Sequence, residues 1–226
     1  MLNFVSCNIN DNLCFIELNR PPSNSMGKTM FHELKIICEK IQKNTSLQAV
    51  IISGSGRHFS SGADVDDLLS HPGSDFSSAE DFFTINSFVF ETIRKLKIPV
   101  IAIIKGVCIG VATELALSCH FRFAAPNIII GSPESGFNLM PGCGGTYYLS
   151  ELVDKKNSIE ILLGGKNLNA GEALELGIVD IVINKSLIFE AAVSFAKNIS
   201  VDYNFSLRQA YLYKYLKQFC HEKQKC

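Results

Sequence analysis

Three stretches of the chain hold residue types able to do chemistry. The first, His58-Phe59-Ser60-Ser61-Gly62-Ala63-Asp64-Val65, follows an apolar run. Its Ser61-Gly62-Ala63-Asp64 turn reads as a helix start, where free backbone N–H groups carry about half a positive charge and can face an oxyanion. It also reads as an ordinary strand-to-helix turn with Asp64 in its first turn. The second runs from Pro99 to Ala116 and joins an apolar strand to a loop with Gly106 and Gly110, then to a helix carrying Glu114. Backbone N–H groups again point out of a helix start, with Glu114 beside them on a helix whose other residues include Val111, Leu115, Ala116 and Cys119. A solvent-facing or salt-bridged Glu114 is the plainer alternative, because an unpaired buried carboxylate is expensive. The third, Gly131 to Thr146, sets Glu134 in a loop after a strand and before a glycine-rich turn that opens another helix. Taken alone, a loop carboxylate of this kind is usually solvated.

The elements that must position these stretches alternate along the chain. Leu13 to Leu18 has strand character and stops at Asn19-Arg20-Pro21-Pro22. Phe31, Leu34, Cys38 and Ile41 recur at helical spacing, which predicts an amphipathic helix to about Lys43. Ala49 to Ile52 is a continuous apolar run, as expected of a strand buried on both faces of a parallel sheet. A helix marked by Phe82, Ile85, Val89 and Leu96 follows, then a second buried strand over Pro99 to Ile104. Short strands are expected at Phe121 to Ala125 and Ile128 to Ile130. Helices follow near 144–153, 156–163, 170–176 and 186–199. Asn169 with Glu172 suggests a capping box, and Gly177 a helix stop. One further helix is expected from Leu207, Tyr211, Tyr215 and Phe219. This order is an α/β arrangement with a mostly parallel sheet.

Composition narrows the function classes. With 226 residues, 47% hydrophobic and 19% charged, the chain can bury a core. Its 21 basic and 22 acidic residues are well mixed, so it offers no basic stripe for nucleic acid. The eight cysteines form no CxxC pair and have no accompanying histidine spacing, which argues against a metal site. Cys14, Cys38, Cys108 and Cys119 sit in apolar runs as small hydrophobes. Free thiols in that number suit a reducing compartment. The N-terminus is too polar for a signal peptide and no apolar run is long enough to span a membrane, so a soluble, cytoplasmic protein is expected.

Taken in order, these motifs resemble the crotonase (enoyl-CoA hydratase/isomerase) superfamily. Family members carry a Ser/Ala-Gly-Ala-Asp turn, matched by Ser61-Gly62-Ala63-Asp64. Pro-Val-Ile-Ala, a glycine-rich loop and Glu-Leu-Ala are matched by Pro99 to Ala102, Gly106, Gly110 and Glu114-Leu115-Ala116. Gly-x-Pro-Glu and Pro-Gly-x-Gly-Gly-Thr are matched by Gly131 to Glu134 and Pro141 to Thr146. The opening Leu18-Asn-Arg-Pro21 and the late Ala173 to Asp180 are similar too, so the likeness covers roughly residues 13 to 185. It implies a crotonase-like core of stacked ββα turns over residues 1–185, with a shortened C-terminal helical segment over 186–226. It implies assembly as a homotrimer or a dimer of trimers. The substrate would be an acyl thioester of coenzyme A or of a carrier-protein pantetheine arm, with no separate cofactor. The backbone N–H groups of Ala63 and Val111 would form the oxyanion hole, and Ser61, Gly62, Asp64 and Gly110 would line the substrate.

The acids discriminate among the superfamily's reactions. Hydratases resembling this chain use two glutamates at the positions of Glu114 and Glu134, holding one water and sharing one proton. Keeping both implies addition or removal of water at a 2-enoyl or 3-hydroxyacyl thioester. The alternatives are an isomerase, a synthase of unsaturated fatty-acid signals that Ala116 to His120 resembles, and a scaffold that binds thioesters without turnover. Four features depart from the family pattern. Val111 stands where glycine is usual, so a narrower pocket or shifted loop is expected. His120 replaces a common aspartate and is expected to be structural. Cys143 occupies the glycine turn, for packing rather than attack, since no histidine accompanies it. The C-terminal region is short, with Tyr203, Phe205 and tyrosines 211, 213 and 215 expected on an oligomer or core surface.

Overall fold

A computed structural model describes residues 2–64, 66–67 and 76–199, with backbone alone for 76–83. The first half of the chain contains β1 (Val5–Asn10), β2 (Leu13–Leu18), α1 (Lys28–Lys43), β3 (Ala49–Gly54), α2 (Phe76–Lys95), β4 (Val100–Ile104), β5 (Val107–Ile109) and α3 (Val111–Ser118). Then come β6 (Phe121–Ala124), β7 (Ile129–Gly131), a 3-10 turn (Pro133–Phe137), α4 (Gly145–Leu152) and α5 (Lys155–Leu162). β8 (Asn167–Asn169), α6 (Ala170–Glu175), β9 (Ile181–Val182) and α7 (Ile188–Asn198) complete the described elements. The expected helix over 207–219 and the aromatic residues around it lie outside the described residues.

The main sheet has six strands in the order β1-β2-β3-β4-β6-β9. β1 and β2 form an antiparallel hairpin, and every later pairing in this sheet is parallel. Asp11 and Asn12 at the hairpin tip have φ of 49° and 60°, the signature of a two-residue type I′ turn that matches strand twist. β3 and β4 are central and nearly wholly buried, which explains their uninterrupted apolar runs. A second sheet, β5-β7-β8, pairs β5 with β7 parallel and β7 with β8 antiparallel. Bridges from Met26 to Ala63 and from Ser60 to Cys108 tie the chain before α1 and the chain after β3 toward this smaller sheet.

Helix α1 buries Met30, Phe31, Leu34, Ile37, Cys38 and Ile41, the stripe that the spacing predicts, and packs on α2. The same helix also buries Glu33, whose carboxylate accepts the N–H groups of Asn3, Phe4 and Val5 at 2.6 to 2.9 Å. Apolar periodicity gives no hint of that anchor, because its partners lie about thirty residues away in sequence. α7 covers the sheet over β3, β4 and β6, with Phe195 edge-on to Phe121 at 4.8 Å. Asn169 and Glu172 form the expected capping box at α6, and Gly177 takes φ of 70° just past that helix. Cys14, Cys38, Cys108 and Cys119 are buried among apolar neighbours. Among the described residues no helix is long and apolar enough to cross a membrane.

Arg122 of β6 is 1% exposed, the one large cation sunk in the core among the described residues. Its Nε donates to the carbonyl of Ile178 and its Nη1 to that of Cys119, both at 2.7 Å. Asp180, entering β9, lies 3.4 Å from its Nη2 and accepts the backbone N–H of Arg122 at 2.7 Å. The pair fastens the α6–β9 turn to the end of the main sheet. Removing one partner leaves a buried charge uncompensated. Asp180→Ala is therefore expected to lower unfolding free energy by about 3–5 kcal/mol in urea titrations, and a loss below about 1 kcal/mol would show that the pair does not fasten this turn.

Candidate active site

The site begins with backbone traced close to backbone. Ser60 pairs with Cys108, and two residues further on Gly62 meets Ile109 and Gly110. A methyl group on Gly62 would stand 2.7 Å from the carbonyl oxygen of Ile109, and Gly62 has φ of 92°, so only glycine serves here. Gly110 has φ of 60° and donates to the carbonyl of Gly131 at 2.9 Å, which binds the start of α3 to the end of β7. The Thr113 hydroxyl lies 2.8 Å from the carbonyls of both Cys108 and Gly131 and can give its proton to either. This contact fixes α3 on the smaller sheet.

Ala63 and Val111 each follow one of these two apposed glycines. Among the described residues no acceptor takes the N–H of Ala63 or of Val111. The flanking N–H groups are engaged: Gly62 donates to Ser60 Oγ, Asp64 to Met26 and Thr113 to Gly110. Val111 is the first residue of α3, so its amide belongs to a helix start. Its branched side chain is only 7% exposed, turned into the core rather than left on the surface.

Glu134 lies against this backbone at Gly110, and Glu114 stands on the helix that starts from it. Glu114 is 2% exposed, and its Oε1 accepts the N–H groups of Cys143 and Gly145 at 2.8 Å each. The solvent-facing or salt-bridged alternative for Glu114 is thereby excluded. Burial pushes its carboxyl up to about 7; the two amides oppose that shift and the Glu134 charge adds to it. A methyl group on Gly145 would stand 2.7 Å from Glu114 Cγ, so glycine there makes room for the acid. Glu134 sits in the 3-10 turn after β7, half-buried, with Oε1 only 3.1 Å from where a methyl group on Gly110 would be. Burial raises its carboxyl as well, against a bond from its own backbone N–H, and its buried Oε2 has no hydrogen-bond partner among the described residues. Two neighbouring acids held toward neutrality can pass a proton to and from a bound molecule.

Ser61, half-buried, donates its N–H to the carbonyl of Ser23 at 2.9 Å. The Asp64 carboxylate is taken up by its own surroundings. It pairs with Arg20, lies 3.4 Å from Ser25 Oγ and accepts the N–H of Asp67 at 3.1 Å. Burial pushes this carboxyl up, but the Asp67 amide and the Arg20 guanidinium outweigh it and hold it below the usual range.

Sequence reasoning passed over Asn24 and Arg20. Asn24 is fully buried with φ of 54°, and its amide nitrogen reaches the carbonyls of Ser55, His58 and Phe59 at 3.0 to 3.2 Å. Its Oδ1 accepts the N–H of Arg20, so the segment before α1 clamps the turn that presents Ala63. An asparagine in a proline-rich turn was the available signal. Cys143 serves through its backbone N–H on Glu114, and burial pushes its thiol up to about 12, which suits packing and not attack. His120 accepts the N–H of Val100 on Nδ1 and meets the Arg94 carbonyl through Nε2, a structural link away from the acids.

Residues 8–218 match the family model described as Enoyl-CoA hydratase/isomerase. Over 189 residues the chain is 32% identical to the peroxisomal bifunctional enzyme of Cavia porcellus, and over 188 residues it is 33% identical to that of Homo sapiens. Each alignment takes in 83% of this chain but only 25% of the relative, so the chain spans about a quarter of the length of the curated relatives it matches. Among solved structures, DspI of Pseudomonas aeruginosa superposes with a TM-score of 0.82 at 25% identity, over 97% of this chain and 82% of that one. An enoyl-CoA hydratase from Bacillus anthracis superposes with a TM-score of 0.81 at 26% identity, over 97% of this chain and 92% of its own. The fold is thus the crotonase fold, and the chain belongs to the enoyl-CoA hydratase/isomerase family.

Proposed function

We propose that the chain is an enoyl-CoA-hydratase-like lyase that adds water to a 2-enoyl thioester or removes it from a 3-hydroxyacyl thioester. The observation that carries the reading is one juxtaposition. Two backbone N–H groups with no acceptor among the described residues, on Ala63 and Val111, follow apposed glycines next to two carboxyls whose ionisation is suppressed. Chemistry next to a thioester passes through an enolate, and preorganised N–H donors aimed at that oxygen contribute several kcal/mol to its stabilisation. In the hydration direction, water loses a proton to one glutamate as its oxygen bonds to C3. The C2–C3 double bond gives way to the enolate, and C2 takes its proton from the other. The acids titrate as a unit, with one proton between them.

The thioester arm is that of coenzyme A or of a carrier-protein pantetheine. Gly62 and Gly110 let it approach the backbone, Ser61 borders it, and Asp64 acts through its hold on Arg20 and Asp67. A homotrimer, alone or doubled, accounts for the apolar run beyond Glu134, where Phe137, Leu139 and Met140 are 75%, 61% and 51% exposed.

The test is a mass-spectrometric screen of 2-enoyl and 3-hydroxyacyl thioesters on coenzyme A and on carrier protein. Gain or loss of water is expected. Double-bond migration without a mass change would make the chain an isomerase, and release of free acid a signal-synthase relative. Thermal stabilisation by thioesters with no product would leave a binding scaffold. Glu114→Gln and Glu134→Gln are each expected to lower kcat/KM on the order of 10²-fold or more, and wild-type rates in both would refute the acid–base assignment.

Stability should also report the buried acid. In the folded chain Glu114 titrates near about 7 against an ordinary 4.5. The folded state therefore holds an extra proton between those values. The resulting stabilisation is fully present below the unfolded value and is lost as pH rises through the folded one. Relative to Glu114→Gln, the wild type is expected to lose up to roughly 3 kcal/mol between pH 4.5 and 8 in urea titrations. A constant difference across that range would mean that Glu114 stays ionised when folded.

A further inference from the structure

Two cysteines meet at the edge of the main sheet. Cys7 lies on β1 and Cys14 on β2, with their Sγ atoms 3.7 Å apart. The hairpin register sets Cys7 opposite Ile16 and Cys14 opposite Ile9, so the two are diagonal neighbours on one face. Their surroundings differ. Cys7 is exposed, whereas Cys14 is fully buried.

That asymmetry divides the roles. The bond to Cys7, and then burial, push the Cys14 thiol up, so it keeps its proton and donates it to the Cys7 sulfur. The same bond brings the Cys7 thiol down to about 7; partial burial opposes the shift and the Lys40 ammonium adds to it. A thiolate within reach of solvent is the nucleophile, and a second thiol touching it can resolve its oxidised form. Cys38, Cys108, Cys119 and Cys143 are buried, and burial pushes each of them up.

The backbone allows closure. The sulfurs must draw together by roughly 1.7 Å to reach disulfide length, which for a diagonal pair takes some movement of the strands. β1 can supply it. It is the outermost strand of its sheet, paired only with β2 among the described residues, and it is exposed at every position after Val5.

We propose that Cys7 and Cys14 are a peroxide-responsive dithiol, Cys7 taking the oxidant and Cys14 resolving it to a disulfide that staples the hairpin. The Cys7 thiolate attacks one oxygen of a hydroperoxide. The O–O bond breaks, the departing alkoxide or hydroxide takes a proton from solvent, and Cys7 is oxidised to a sulfenic acid. The Cys14 sulfur then bonds to that of Cys7, the S–O bond breaks, and hydroxide leaves as water with the Cys14 proton. Two thiols are oxidised and one peroxide is reduced, and a dithiol reductant reverses the change. The site is independent of the thioester reading.

The experiment treats the reduced full chain with stoichiometric hydrogen peroxide, alkylates the remaining thiols and maps the peptides by mass spectrometry. Before oxidation, Cys7 is expected to alkylate on the order of tenfold or more faster than Cys14, Cys38, Cys108, Cys119 or Cys143. After oxidation, a Cys7–Cys14 cross-link within one chain is expected, removed by dithiothreitol. Cys14→Ala should leave Cys7 as a sulfenic acid trapped by dimedone, and Cys7→Ser should abolish both products. The proposal is overturned if wild-type Cys7 stops at the sulfenic acid, cross-links to any other cysteine or between chains, or reacts no faster than the buried thiols. Should Cys14→Ala fail to fold, the wild-type peptide map decides alone.

Discussion

A carboxylate buried beside backbone amides is the constraint around which this molecule is arranged. Glu114 lies on a helix every residue of which is buried, and two N–H groups from the 141–145 turn meet one of its oxygens. Two such bonds would ordinarily favour the charged form, yet burial outweighs them and the acid is held toward neutrality. The fold accepts a stability cost at neutral pH to hold this acid close to its protonated form. Functional sites commonly carry strain of this kind.

The rest of the site follows from how closely its segments approach. Gly62 against Ile109 and Gly145 against Glu114 are contacts in which a methyl group would strike a neighbour, and at Gly110 it would crowd Glu134. Each glycine removes a side chain so that backbone or carboxyl can occupy the space. Val111 breaks the family's glycine run without breaking this geometry. Its backbone amide remains at the start of α3, while its side chain is turned into the core. Asn24 and Arg20 complete the arrangement from the other side, since they hold the turn before Ala63 through carbonyls and through Asp64.

Family and chemistry stand at different depths. The match over residues 8–218 and the superpositions fix the superfamily and fold. The reaction depends on a handful of side chains whose like can be arranged for several outcomes on one fold.

The sequence by itself determined the elements whose signals are local. Leu13–Leu18, the α1 stripe, the buried runs of β3 and β4, the capping box at Asn169 and the stop at Gly177 all follow from periodicity and turn chemistry within a few residues. β1, β5, β8 and β9 escaped that reading, because β1 is largely exposed and the other three span three residues or fewer. Motif order also brought Glu114, Glu134, Ala63 and Val111 to notice. Only tertiary structure decided that Glu114 is buried and bonded by amides 29 and 31 residues away, and that Asp64 is spent on Arg20. Burial and hydrogen-bond partnership are properties of what surrounds a residue. Here those surroundings come from distant parts of the chain, where local pattern carries no information.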